Sequence, residues 1–233
     1  MNLFYTNTIK DNIGSFNEVE TRHCIHSLRK QIGDVIHFVD GKGNWYEGAI
    51  TSSSKKAFQV TIDKKEIWTK NRSNYLHIAI APTKNIARFE WFLEKATEIG
   101  IDEITPILTF HSERKRIRID RLEKVVLAAM KQSLKASLPK INDLIKYKDW
   151  VKSERIGQNC IAYVEEENLL LKDTIKKAQD VTILIGPEGG FSKEEVDLAK
   201  NNNFVSVSLG SSRLRTETAG IVACHTNQFI NEI

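Results

Sequence analysis

Long apolar runs are missing from this chain. The longest unbroken stretch is six residues, Val125 to Met130, far short of the ~18 or more needed to cross a bilayer, so no transmembrane helix is expected. The amino terminus, MNLFYTNTIK, has neither a basic start nor an apolar stretch followed by small residues. No secretory signal is read there, and a cytoplasmic location is expected. Cysteine is scarce: Cys24, Cys160 and Cys224 are odd in number and far apart, the reverse of a disulfide framework. Tracts rich in Pro, Gly or Ser are absent. With 41% hydrophobic and 27% charged residues among 233, the composition excludes wholesale disorder and suits one large domain or two small ones. A strong net charge is also lacking, at +4 from 34 basic and 30 acidic side chains. The balance is uneven along the chain, however: +2 over residues 1–70, +6 over 71–155 and −4 over 156–233. A basic middle third is the kind of asymmetry that meets a polyanion.

Two classes of chemistry are poorly supported. His23 and His26 flank Cys24 at helical spacing, but no second ligand pair completes a zinc site, so no metal is expected. A catalytic cysteine needs a base and an electropositive setting. Cys160 lies in strand-like text, and Cys24 and Cys224 lie in helical text, so buried packing is expected for all three. Trp45, Trp68, Trp91 and Trp150 are scattered rather than interleaved with basic residues, which suits core or domain-contact positions.

What is present falls into two grammars. From Val35 to Ile62, short β-rich runs are broken by Asp40-Gly41, Gly43-Asn44 and Ser52 to Lys56, which reads as hairpins. With residues 3–6 in front and 66–68 behind, about the first 70 residues form a small antiparallel sheet or barrel, interrupted by one helix over Val19 to Gln31. After Thr69 to Asn74 strands alternate with amphipathic helices. The strands are Tyr75 to Ala81, Glu103 to Leu108, Cys160 to Val164, Val181 to Ile185 and Phe204 to Leu209. Ile86, Phe89, Leu93, Ala96 and Ile99 share one helix face, Asp120 and Glu123 open a helix to Ser133, and Ser192 with Glu195 is a capping box for Lys193 to Asn201. Alternation of this kind means an α/β domain with a largely parallel sheet. The domains are placed at 1–72 and 73–233.

In such sheets ligands bind at the carboxyl ends of the strands, and two loops there carry the chemistry. VTILIG runs into Gly186-Pro187-Glu188-Gly189-Gly190-Phe191, where the glycines permit close ligand approach and the helix start offers amides to a ligand oxygen. The pattern is neither GxxxxGK[ST] nor GxGxxG, and Glu188 repels phosphate, so a nucleoside-bearing ligand without phosphates fits better than ATP or NAD. The second loop, Leu209 to Gly220, packs two guanidiniums, several hydroxyls and a carboxylate into a short span before the last helix. A third feature is the basic run Arg114-Lys115-Arg116-Ile117-Arg118. Eight basic and three acidic side chains lie between Ser112 and Lys135, a density that can neutralise several phosphates or simply form a solvated face.

At these residues the chain resembles the RsmE-type methyltransferases of the SPOUT superfamily, which methylate N3 of a uridine in 16S ribosomal RNA. The most specific pieces are LIGPEGGFSKEE (184–195) and LRTETAG (214–220), and the resemblance covers nearly the whole chain. Supporting pieces are HCIHSLRKQIGD (23–34), Lys84 with Arg88 and Glu90, EKATEIGI (94–101), Ser112-Glu113-Arg114, and Gln132-Ser133 with Pro139. The resemblance implies an α/β protein with a PUA-like N-terminal β-barrel that helps hold RNA and a C-terminal SPOUT domain with a trefoil knot. It also implies a homodimer, S-adenosylmethionine as cofactor, and 16S rRNA in the 30S subunit as substrate.

The family's cofactor loops map onto Val164 and Glu165, onto Ile185, Gly186, Pro187, Glu188, Gly189 and Gly190, and onto Leu209, Gly210, Leu214, Thr218 and Ala219. Glu188 is either a cofactor contact or a loop-ordering residue. Arg215 is expected to stabilise the uracil anion or orient the base, with Thr216 and Glu217 fixing the loop or helping proton removal. RNA phosphates are expected at Arg22, Arg29, Lys30, Lys84, Arg88, Arg114, Arg116, Arg118 and Lys135. Two local departures stand out. Where relatives commonly read LG-Pro-Arg-hydrophobic-LR, this chain has Ser211-Ser212-Arg213, and where a Gly-Arg pair often follows Gln-Ser it has Leu134-Lys135. Rival readings are a SPOUT enzyme acting on tRNA or on a ribose 2′-oxygen, and a non-catalytic RNA-binding assembly factor.

Overall fold

The structure, a computed structural model, describes residues 1–155, 157–164 and 169–232. It divides into two units, one of Met1–Thr69 with Leu127–Leu138 and one of the remainder. Assignment of Leu127–Leu138 to the first unit departs from a simple cut at residues 72 and 73, and it moves Lys135 out of the second domain.

The first unit is a six-stranded sheet of β1 (Leu3–Tyr5), β2 (Thr8–Lys10), β3 (Ile13–Phe16), β4 (Val35–Val39), β5 (Asn44–Ser53) and β6 (Phe58–Ile67) in the order β1-β4-β5-β6-β3-β2. All pairs are antiparallel except β1 with β4, which run parallel, contrary to the purely antiparallel expectation. Asp11 and Asn12 turn the β2–β3 hairpin with φ of 48° and 62°, the doubly left-handed turn that matches strand twist. Phe4, Phe16, Phe38 and Phe58 are buried together, Phe16 stacked on Phe58 at 4.3 Å between ring centres. The expected helix over Val19–Gln31 is shorter: α1 (Glu18–Thr21) passes into a π-helical turn, Arg22–Ser27, and Arg29 already has φ 57°.

Helix α3 (Ile119–Gln132) ends within this unit. Leu134 takes φ 54° while the Lys135 amide donates to the Met130 carbonyl at 3.0 Å, the hydrogen bonding of a left-handed helix stop that favours glycine. Leu134→Gly is expected to raise stability by about 0.5–1 kcal/mol, read as a higher urea midpoint at unchanged slope.

The second unit is a parallel sheet of β7 (Leu76–Ile80), β8 (Glu103–Leu108), β9 (Lys140–Ile141), β10 (Ile145–Lys146), β11 (Gln158–Ala162), β12 (Val181–Ile185) and β13 (Val205–Val207). Its order is β10-β8-β7-β12-β11-β13, with β9 also on β8, and every pairing is parallel. All five residues of β12 are buried, as expected of a strand covered on both faces. Its helices are α2 (Ile86–Ile99), the first part of α3, α4 (Tyr147–Trp150), α5 (Leu171–Thr174), α6 (Lys193–Asn201) and α7 (Thr216–Asn231).

Helix α7 is locked to the start of β7 by a buried polar network. Arg72 donates to Asp102 at 2.5 Å and to Gln228 at 3.1 Å, and Asn74 donates to Asn227 at 2.8 Å. These bonds satisfy groups that would otherwise be costly to bury, and they fix the helix whose other end opens at the cavity described below.

All three cysteines are free and buried. Burial pushes the Cys24 thiol up to about 11 and that of Cys160 to about 12, so neither is a nucleophile near neutral pH. Trp150 is buried, and Trp45 and Trp68 pack on the core of the first unit. Trp91, expected at a core or domain-contact position, is 44% exposed.

His77 on β7 bonds Thr105 Oγ1 at 2.7 Å and meets the Trp150 ring edge to face. Burial pushes its pKa down to about 4, against the opposing pull of Glu103. The folded value lies below the ordinary ~6.5, so the unfolded chain binds the proton first. His77 therefore contributes stability above pH 6.5 that is lost as pH falls toward 4, on the order of 3 kcal/mol. Urea midpoints measured between pH 7 and pH 4.5 are expected to fall less steeply for His77→Gln than for the wild type.

Candidate active site

Loops after β7, β8, β11, β12 and β13 gather at the carboxyl edge of the second unit's sheet. After β12, the Gly190 amide donates to the Pro187 carbonyl at 2.9 Å, and Gly190 has φ 73°, a left-handed turn that glycine makes without strain. Helix α6 then starts at Ser192. The Ser192 amide donates to Glu195 Oε2 at 3.0 Å and the Glu195 amide to Ser192 Oγ at 3.3 Å. This reciprocal cap is the capping box expected from the sequence. Glu195 also accepts from the Phe110 amide at 2.8 Å, so the same carboxylate ties the loop after β8 to the loop after β12.

After β13, Ser208 Oγ donates to the Gly210 carbonyl at 3.0 Å and accepts from its amide at 3.2 Å. Gly210 has φ 126°. The chain then reaches Arg215, which precedes α7 without a side-chain capping bond. Thr216 Oγ1 donates to the Gly186 carbonyl at 3.0 Å, joining the two glycine loops.

Between these loops is a cavity of about 330 Å³, within the range that takes small ligands. Val164, Ile185, Gly186, Pro187, Glu188, Gly189, Gly190, Leu209, Gly210, Leu214 and Ala219 line it, as does Thr216. Thr218 lies elsewhere, and Glu165 falls outside the described residues. Phe191, Ser212 and Arg213, which fall within the two loops singled out by sequence, also line it; Ala162, Tyr163 and Val207 were missed, their only signal being adjacency to a strand end. Arg213 is the sole basic side chain among the described lining residues, and no lysine is present. A lining mostly of apolar side chains and loop backbone, with Glu188 and Arg213 its charged members, fits an adenosyl group carrying an amino-acid tail.

The loop after β7 is clasped from two sides. The Lys84 amide donates to Glu188 Oε1 at 3.0 Å, which makes Glu188 a loop-ordering residue. Arg114 donates Nε to the Thr83 carbonyl at 3.0 Å and Nη2 to the Lys84 carbonyl at 2.6 Å. Arg114, expected on RNA phosphate, thus spends two donors on backbone. Lys84 itself pairs with Glu113 at 2.7 Å.

A second groove, of about 370 Å³, adjoins the start of α7 and is lined by Ala87, Arg88, Trp91, Arg215, Glu217 and Thr218. The three residues grouped by sequence thus split, with Thr216 on the cavity and Arg215 and Glu217 on this groove.

The remaining basic residues divide between the units. In the second, Arg116 is exposed and Arg118 is exposed with a surface pair to Asp120 at 2.8 Å. In the first, Arg22 and Arg29 are exposed, Lys30 is half-buried, and Lys135 Nζ lies 6.0 Å from the Trp68 ring centre. No group of three His, Cys, Asp or Glu suited to a metal occurs among the described residues. No helix among them is long and apolar enough to cross a membrane.

Residues 70–228 match the family model of an RNA methyltransferase domain, and residues 16–63 that of an RNA methyltransferase PUA domain. Ribosomal RNA small subunit methyltransferase E of Rickettsia conorii is 31% identical over 216 residues, covering 88% of this chain and 86% of that protein. The chain belongs to the ribosomal RNA small subunit methyltransferase E family. Among solved structures of similar fold, a protein described as a "probable rRNA-methyltransferase" from Porphyromonas gingivalis superposes with a TM-score of 0.93 at 42% identity, covering 99% of this chain and 98% of that one. Ribosomal RNA small subunit methyltransferase E from Neisseria gonorrhoeae, bound to S-adenosyl methionine, shares the fold with a TM-score of 0.85 at 22% identity, covering 98% and 97%. An RNA methyltransferase domain spanning most of the chain thus coincides with the unit that carries the cavity.

Proposed function

We propose that this methyltransferase transfers a methyl group from S-adenosylmethionine to N3 of a uridine in the decoding region of 16S rRNA, on the assembled 30S subunit, as a cytoplasmic homodimer. The observation that carries the reading is the cavity between the loops at 185–190 and 209–214, with its mostly apolar and backbone lining. When bound, the cofactor supplies a methyl group activated by a positively charged sulfur. The protein's task is alignment and charge control. Backbone groups at Gly186 to Gly190 and Leu209 to Leu214 hold the nucleoside, Thr216 keeps the two loops in register, and Arg215 stabilises negative charge on the uracil carbonyls as N3 loses its proton. Trefoil threading of the sheet belongs to the same reading, as does a second copy that covers apolar side chains such as Phe229, 63% exposed on α7.

Phosphates are assigned to Arg22, Arg29, Lys30 and Lys135 of the first unit and to Lys84, Arg116 and Arg118 of the second. Surface ion pairs such as Arg118–Asp120 cost little to exchange for phosphate. Reversing Arg22, Arg29, Arg116 and Arg118 to Glu is expected to weaken rRNA binding at least tenfold at moderate salt. The slope of log affinity on log salt is expected to drop by about 3 for four lost contacts, with S-adenosylmethionine affinity unchanged. Unchanged RNA affinity would count against the assignment.

Calorimetric titration tests the cofactor part. One S-adenosylmethionine per chain, with no binding of ATP or NAD, is expected. RNA binding without any S-adenosylmethionine binding would replace this reading by an RNA-binding assembly factor.

A further inference from the structure

Glu217 is 6% exposed, and its Oε2 has no hydrogen-bond partner among the described residues. Its Oε1 lies 3.8 Å from Arg88 Nε, too far for a hydrogen bond. A buried carboxylate oxygen left unpaired is costly. Such a carboxylate calls for an explanation, and Glu217 lines the groove together with Arg88, Arg215 and the half-exposed ring of Trp91. An acceptor flanked by two guanidinium-bearing residues complements an edge that presents a donor between two acceptors. Among RNA bases only the Watson–Crick edge of uracil does so, with N3–H between O2 and O4. Cytosine presents a bare ring nitrogen at that place, and the purines present other orders.

We propose that the groove between α2 and the start of α7 receives the target base, with the Glu217 carboxylate accepting the N3 proton, Arg88 and Arg215 donating to the flanking carbonyl oxygens, and Trp91 offering a ring face for stacking. The inference rests on the methyl-transfer reading above and moves Arg88 from phosphate to the base edge. The proton passes from N3 to the carboxylate, the freed nitrogen pair forms the bond to the methyl carbon, and the pair of the broken carbon–sulfur bond stays on sulfur. The carboxylate then releases its proton to water. Selection against cytosine follows from the same groups, because N3 of cytosine would set a lone pair against the Glu217 carboxylate. A ring face beside the groove suits an unstacked, single-stranded base, which is how proteins read RNA sequence.

The test compares single-turnover methyl transfer to small-subunit rRNA transcribed with uridine and with 5-fluorouridine, whose N3–H is more acidic. Glu217→Gln is expected to slow transfer to the uridine RNA about 100-fold or more, to slow transfer to the 5-fluorouridine RNA less than tenfold, and to leave S-adenosylmethionine affinity within twofold. Arg88→Ala, should the first variant not fold, is expected to raise the KM for RNA at least tenfold at unchanged cofactor affinity. Equal loss on both RNAs, loss accompanied by weaker cofactor binding, or dissociation of a dimer seen by light scattering would overturn the proposal in favour of a structural or interface role for Glu217. Failure of the unaltered protein to make 3-methyluridine would instead overturn the methyl-transfer reading, and this proposal with it.

Discussion

Arg215→Ala is expected to lower turnover by about 10²–10³, while S-adenosylmethionine affinity stays within twofold. The side chain is exposed and makes no hydrogen bond or ion pair among the described residues. It provides no cap for α7, since no side-chain capping bond exists, so its removal costs the fold little. On the groove beside Glu217, its donors are left for the base proposed to bind there. Removing one preorganised donor to a developing anion typically costs this much in rate. Arg215→Lys keeps the charge without the planar fork, and part of the rate is expected to return. Single-turnover transfer with parallel calorimetry checks both, and full turnover in the alanine variant would remove Arg215 from the site.

Gly210→Val is expected to weaken S-adenosylmethionine binding by about 100-fold. Gly210 sits at φ 126° with open space around the position a Cβ would take, and it lines the cavity. No L side chain adopts that backbone without strain of about 1–3 kcal/mol, β-branched valine least of all. Relaxation must rotate the two peptide groups that flank Gly210, whose amide and carbonyl both bond Ser208 Oγ, and the cavity wall moves with them. Gly33 in the first unit provides the control. It also has positive φ, at 95°, and open space, so Gly33→Val carries similar strain and is expected to leave cofactor affinity unchanged. Equal affinities in the two variants would place the cofactor elsewhere.

Legibility followed the range of the interactions involved. VTILI at 181–185 and the Ser192–Glu195 cap could be read directly because each is decided within a few residues. The helix at 18–27 was overdrawn because its sequence keeps helical residues beyond the π turn where the backbone stops. The parallel β1–β4 pair was hidden because partners thirty-four residues apart, such as Leu3 and His37, leave no local mark. Leu127–Leu138 reads as the continuation of an amphipathic helix, and only packing of Met130 and Ala136 against Leu3 and Val39 assigns it to the first unit.

At the site, the glycine loops announced themselves by composition and by the family pattern. The order-giving role of Glu188 did not, because its partner is the amide of Lys84, more than a hundred residues earlier. For the same reason Arg114 read as one more cation in a basic run, although it clasps the backbone of the loop after β7. The groove with Trp91 exists only once α2 lies against α7, so a scattered tryptophan gave no hint of it.

The most direct measurement is transfer of labelled methyl from S-adenosylmethionine to 30S subunits, free 16S RNA and tRNA taken from cells lacking this gene, followed by nucleoside mass spectrometry. Label appearing as 3-methyluridine in small-subunit RNA, most strongly on assembled 30S subunits, is the expected result. Label in tRNA or on a ribose 2′-oxygen, or no transfer despite RNA binding, would contradict it.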